Sequence, residues 1–104
     1  MYWRPVVIHP VILDAVLAAA VGDEPALIAE LRSAFFASAN YHTASLAAAT
    51  SPEGWSAAAN RLHSLAASFG ALSLIKVASE ALRIPENETA MVRKVKHTIS
   101  AFEL

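Results

Sequence analysis

Hydrophobic positions recur at intervals of three and four along most of the chain, the spacing that keeps one face of an α-helix turned inward. Turn signals divide this pattern into five segments. Pro10 and Gly22 bound a short helix over about 10–21, because proline is tolerated in a first helical turn and glycine accepts the left-handed conformation that ends one. Asp23, Glu24 and Pro25 then form a cap and start for a long helix. Its inward stripe reads Leu27, Leu31, Ala34/Phe35, Ser38, His42, Ser45/Leu46 and Ala49. Ser51-Pro52-Glu53-Gly54 opens a third helix with a face of Trp55, Ala58/Ala59, Leu62, Leu65/Ala66 and Phe69. After a break over residues 70–73, Leu74, Val77/Ala78 and Ala81/Leu82 predict a fourth helix that stops before Pro85. Asn87 caps a fifth, whose apolar positions are Met91/Val92, Val95, Ile99 and Phe102. Short turns between amphipathic helices make neighbours antiparallel. The expected fold is all-α, an up-and-down antiparallel four-helix bundle with a short additional N-terminal helix, and the chain, 1–104, is read as one domain.

Composition reinforces the helical reading. The 104 residues include 23 alanines and three glycines, and 56% are hydrophobic. Alanine loses little entropy in a helix and offers a sheet little to pack, so an all-β fold is excluded. Mean hydropathy is +0.44. The longest charge-free stretch, Ser33 to Pro52, is nevertheless interrupted by Ser38, Asn40, His42, Thr43, Ser45, Thr50 and Ser51, groups that lipid would leave unsatisfied. No membrane association is expected. Arg4 precedes an apolar segment ending in Ala18-Ala19-Ala20, but Pro10 and Asp14 interrupt it, so a cleaved secretory signal is not expected.

Eight basic and nine acidic residues give a formal charge of −1, which argues against a nucleic-acid partner. Six of the basic residues lie at 61–104, making the second half mildly basic. The absence of cysteine excludes disulfides and thiolate ligands and fits a cytoplasmic location.

Four histidines are the candidates for chemistry. His9 precedes a proline and reads as a loop residue. His97 falls in the Arg93–His97 run and reads as part of a solvated face. His42 lies on the inward stripe of its helix and reads as a core histidine hydrogen-bonded to a neighbour. No pair has the i, i+4 spacing of a zinc helix, and no metal site is expected. His63 lies about 110° from the centre of its helix's apolar stripe and is expected to be exposed. Its neighbours at three, four and seven residues are Ser56, Ala59, Asn60, Ala66, Ala67 and Gly70, almost all short, so the imidazole stands above a shallow patch. Close helix packing is the alternative use of those alanines.

The run Asn60-Arg61-Leu62-His63-Ser64-Leu65-Ala66-Ala67-Ser68-Phe69-Gly70-Ala71-Leu72, followed by Val77-Ala78-Ser79-Glu80-Ala81-Leu82, resembles the signature of histidine-containing phosphotransfer (HPt) domains. That signature is a histidine with a hydrophobic residue two later, usually Lys-Gly three and four later, a small residue at five and glycine at seven. His63, Leu65, Ser68 and Gly70 match. The resemblance covers roughly 10–104: the Phe35-Phe36 helix, the turn after Ala49, Trp55 and the Ala78–Leu82 helix fall where that family places its bundle. Ala66 stands in place of the usual lysine, Ala67 in place of the usual glycine, and Ser73 where a later glycine is common.

The resemblance implies a phosphorelay intermediate that is a phosphocarrier rather than an enzyme. His63 would accept a phosphoryl group through Nε2 from a receiver-domain aspartate or a hybrid histidine kinase, then pass it to a response regulator. The protein itself needs no cofactor, since in this family the receiver brings Mg²⁺ and a lysine. A turn centred near residue 51 puts Ser38 and Ala39 level with His63, and His42 near Asn60. The expected docking surface is thus Ser38, Ala39, Ser56, Ala59, Asn60, Ala66, Ala67 and Gly70. A monomer is the expected state. Ala66 motivates an alternative, a module of the same fold that docks on a receiver or kinase with impaired phosphotransfer. A bundle that oligomerises through its alanine faces is a third reading.

Overall fold

The computed structural model describes residues 24–84 and 88–102, which form four α-helices: α1 (Pro25–Ala48), α2 (Pro52–Phe69), α3 (Leu72–Leu82) and α4 (Thr89–Ser100). The expected helix over about 10–21 and the capping roles of Asp23 and Asn87 lie outside the described residues. Helix boundaries otherwise follow the turn chemistry. Pro25 and Pro52 occupy first turns, where a missing N–H costs nothing. The Ser51 hydroxyl accepts a hydrogen bond from the Gly54 amide at 3.0 Å, satisfying one of the free donors at the start of α2. Glu24 precedes α1 without a side-chain cap.

At the other end of α2, Gly70 adopts φ 66°. The Ala71 amide reaches back to the Ala66 carbonyl at 2.9 Å and the Gly70 amide to that of Ala67 at 3.3 Å. This is a Schellman closure, and it needs the left-handed backbone that glycine adopts without a Cβ clash. Ala71 is buried, so the chain re-enters the core at once and α3 begins at Leu72.

Each helix packs on its neighbour in the chain, and α1 also packs on α4, so the four close a ring around one core. The core pattern matches the expected stripes in α2, α3 and α4. Trp55, Ala58, Ala59, Leu62 and Ala66 are buried in α2, Leu74, Val77, Ala78 and Ala81 in α3, and Met91, Val92, Val95 and Ile99 in α4, with Phe102 just beyond.

The stripe of α1 is rotated from the expected one. Phe35, Ala39, Thr43 and Leu46 are buried, whereas Ser38 and His42 sit half-buried on the flank. Thr43 enters the core because its hydroxyl donates to the Ala39 carbonyl at 2.7 Å, so the polar atom is satisfied within the helix. Leu27, expected to face inward, is 42% exposed. Ile28 and Leu31 turn toward the core on the first turns of α1 instead, each partly buried against it.

Aromatic groups mark the two ends of α2. Near its start, Trp55 is buried and its Nε1–H donates to the Ala81 carbonyl at 2.8 Å, tying α2 to the end of α3. Near its finish, Phe69 packs against Phe35, ring centroids 5.0 Å apart, and Phe102 meets the same ring at 5.9 Å. The Arg32 guanidinium donates to the Phe102 carbonyl at 3.4 Å and lies 5.3 Å from the Phe36 ring centre. Outside the core, Lys94 of α4 donates to Glu80 of α3 at 2.6 Å.

Trp55→Phe removes the link to Ala81 and leaves unfilled volume, so a loss of about 1–3 kcal/mol is expected in urea unfolding. Tyr41→Ala, at a position 69% exposed, should change stability by no more than about 0.5 kcal/mol.

Candidate functional site

His63 projects from the middle of α2, and its surroundings divide by depth. At about 100° per residue, Ser56, Asn60, Ala67 and Gly70 form the column above and below it. Asn60, Ala67 and Gly70 are exposed and Ser56 is half-buried. Toward the core, its neighbours at i−4 and i+3 are Ala59 and Ala66, both fully buried. The histidine is itself half-buried, where the sequence led us to expect an exposed ring.

The same packing corrects the expected docking surface. Ala39, Ala59 and Ala66 each have 0% exposure and present nothing to a partner. They are alanines of the helix contacts, the use that the sequence left open. Ser56, Asn60, Ala67 and Gly70 remain as accessible positions beside His63 on α2, and Ser38 is half-buried on α1. Burial of Ala66 also has a chemical consequence: the position at which the resembled family usually carries lysine points into the core here.

Helix α1 adjoins a different flank of α2. His42 of α1 lines a groove of about 400 Å³ together with Asn60, Arg61, Ser64, Leu65 and Ser68 of α2. The expected proximity of His42 to Asn60 is therefore present. Arg61, Leu65 and Ser68, however, lie about 140–160° around α2 from His63. The groove and the His63 column thus occupy separate faces, joined only at Asn60.

His42 differs from the expected hydrogen-bonded core histidine. Its ring is half-buried, and the buried Nδ1 has no hydrogen-bond partner. The Tyr41 ring meets it edge-on with centroids 5.6 Å apart, a contact that offers no acceptor. Burial holds the imidazole below the usual histidine pKa, and the Arg61 guanidinium lowers it further, since both disfavour a second positive charge. The sequence located this histidine on the right helix, but one step of helical rotation separates a core position from a groove wall.

The remaining histidine expectations are simple to place. His97 is exposed in the last turn of α4, as the Arg93–His97 run implied, and His9 lies outside the described residues. Lys94 and the neighbouring cations hold the Glu80 carboxyl below the usual carboxylate range. Among the described residues, no helix is long and apolar enough to cross a membrane. Comparison of the chain with protein-family models, curated proteins and solved structures finds no match.

Two outcomes test this geometry. Ala59→Leu should cost about 1–3 kcal/mol by overpacking the contact, whereas Ala67→Leu, on the surface of the same helix, should stay within about 0.5 kcal/mol; chemical denaturation of the pair checks it. His42 binds its proton more weakly folded than unfolded, so its contribution to stability is complete above pH about 6.5 and is lost as pH falls from there through the lowered folded value. Stability measured between pH 7.5 and pH 5 should therefore fall less in His42→Gln than in the parent protein.

Proposed function

We propose that this protein is a phosphorelay intermediate, with His63 as the phosphoryl acceptor. The observation that carries the proposal is the His63 column. A histidine stands in the middle of a helix, its surface neighbours are Ser56, Asn60, Ala67 and Gly70, and the glycine closes the same helix by a left-handed turn. A column of short, uncharged side chains leaves a partner free to approach the ring. The HPt resemblance on His63, Leu65, Ser68 and Gly70 fits the same helix, and an up-and-down four-helix bundle is the architecture it implies.

The chemistry asks little of the bundle. The Nε2 lone pair attacks phosphorus in the mixed anhydride of a phosphorylated receiver aspartate, an N–P bond forms, the acyl P–O bond breaks and the aspartate carboxylate leaves. Passing the group to a response regulator reverses these bonds. The receiver supplies Mg²⁺ and a lysine to neutralise the phosphoryl oxygens. With Ala66 directed into the core, the protein offers no lysine at that position, and charge neutralisation falls to the partner. The protein acts as a carrier, docks as a monomer and works in the cytoplasm beside receiver domains.

Incubation with a phosphorylated receiver or an active hybrid kinase should place acid-labile label on the protein. His63→Gln should abolish the label, and His42→Gln should retain it. Label persisting in the His63 variant overturns the assignment. Receiver binding without any label on the parent protein would instead identify a docking module of the same fold, the reading to which the missing lysine points.

A further inference from the structure

We infer that the groove between α1 and α2 binds a small organic anion, a carboxylate or a phosphate monoester. It is a shallow, open groove of about 400 Å³, so a ligand there is held by the polar groups of its wall and not by enclosure. Its wall carries donors of complementary kinds: the Arg61 guanidinium, the Asn60 amide, the Ser64 hydroxyl and the His42 ring, with Leu65 as an apolar surface between them. Ser68, at the groove's end, already donates its hydroxyl to the Ser64 carbonyl at 3.0 Å.

Charge determines what such a groove accepts. Arg61 is exposed, and among the described residues no carboxylate lines the groove beside it. Its positive charge is felt at His42, so the groove is electropositive on the side that Arg61 lines. An oxyanion is the ligand class that matches that charge, and guanidinium binds carboxylate and phosphate oxygens in pairs.

His42 supplies a second, independent reason. With Nδ1 buried and unpartnered, the ring proton is better placed on Nε2, because a buried N–H without an acceptor costs more than a buried lone pair. Nε2–H is then a donor that a ligand can reach. An anion held between it and Arg61 meets a donor from each helix, while its hydrocarbon part covers Leu65. The site meets the His63 column only at Asn60.

Titration of the isotopically labelled protein with benzoate and with phenyl phosphate tests the proposal. Saturable NMR shifts are expected at the His42 ring and at the Asn60, Arg61 and Ser64 amides, with whichever probe binds more tightly identifying the anion class. Arg61→Gln should weaken binding at least about tenfold, whereas Lys96→Gln, removing an exposed cation of α4, should leave affinity unchanged. Because Arg61 is exposed, the variant should keep its fold, and circular dichroism checks that it does. Shifts that do not saturate with either probe, or that persist undiminished in Arg61→Gln, overturn the inference.

Discussion

The arrangement depends on a core in which alanines are buried on three of the four helices. Ala39 on α1, Ala58, Ala59 and Ala66 on α2, and Ala78 and Ala81 on α3 are all buried at the contacts. A methyl group lets neighbouring axes pack toward the short end of the roughly 8–10 Å range found between helices. Dispersion and burial are then gained over backbone and Cβ surface as well as from large side chains. Bulk is concentrated where α2 begins and ends. Trp55 closes one end against α3, and the Phe35, Phe69 and Phe102 rings fill the other. Neither group tolerates much displacement, since one is tied by a buried hydrogen bond and the other by three interlocked rings.

That close packing also shapes the surface around His63. Ala59 and Ala66 belong to the core, while Ala67 and Gly70 belong to solvent. One run of small residues thus serves two purposes, sorted by helical phase. The core-side pair is fully buried beside the half-buried histidine. The outer pair keeps the surface low, so that what is left of the ring is reachable. In the proposed relay this division explains how a bundle whose described residues hold no metal-binding cluster can offer a nucleophile. It provides a fixed ring and an unobstructed approach, and the partner provides the charge.

The two flanks of α2 differ in electrostatic character. The His63 column holds no charged neighbour on its own helix, whereas the opposite flank pairs Arg61 with a histidine whose protonation is suppressed. Helix geometry is the reason that residues 61 and 63, close in sequence, face such different environments. A separation of two residues rotates a side chain by about 200°, nearly to the far side. Asn60 is the position at which the two flanks meet.

Much of the fold was legible in the sequence. Turn residues located Ser51, Pro52 and Gly70 as the limits of α2, and most of the periodic apolar positions of α2, α3 and α4 became the core, with Leu65, Phe69 and Leu82 partly buried against it. Local chemistry decides these features, because caps, left-handed glycines and amphipathic faces act within one or two turns. Three matters were left to tertiary structure. Which alanines are buried and which are exposed was one, since a methyl group is compatible with either and only the adjacent helix decides. The rotation of α1 was another: its small and polar residues gave a weak stripe, and Thr43 could turn inward by bonding to its own helix. The third was the state of His42, whose unpaired Nδ1 and low proton affinity arise from packing and from Arg61 on another helix. The sequence by itself determined the helices and the histidine that one of them carries. The depth of that histidine and the groove between α1 and α2 were decided only by how the helices packed, because burial at a flank position depends on the neighbouring helix.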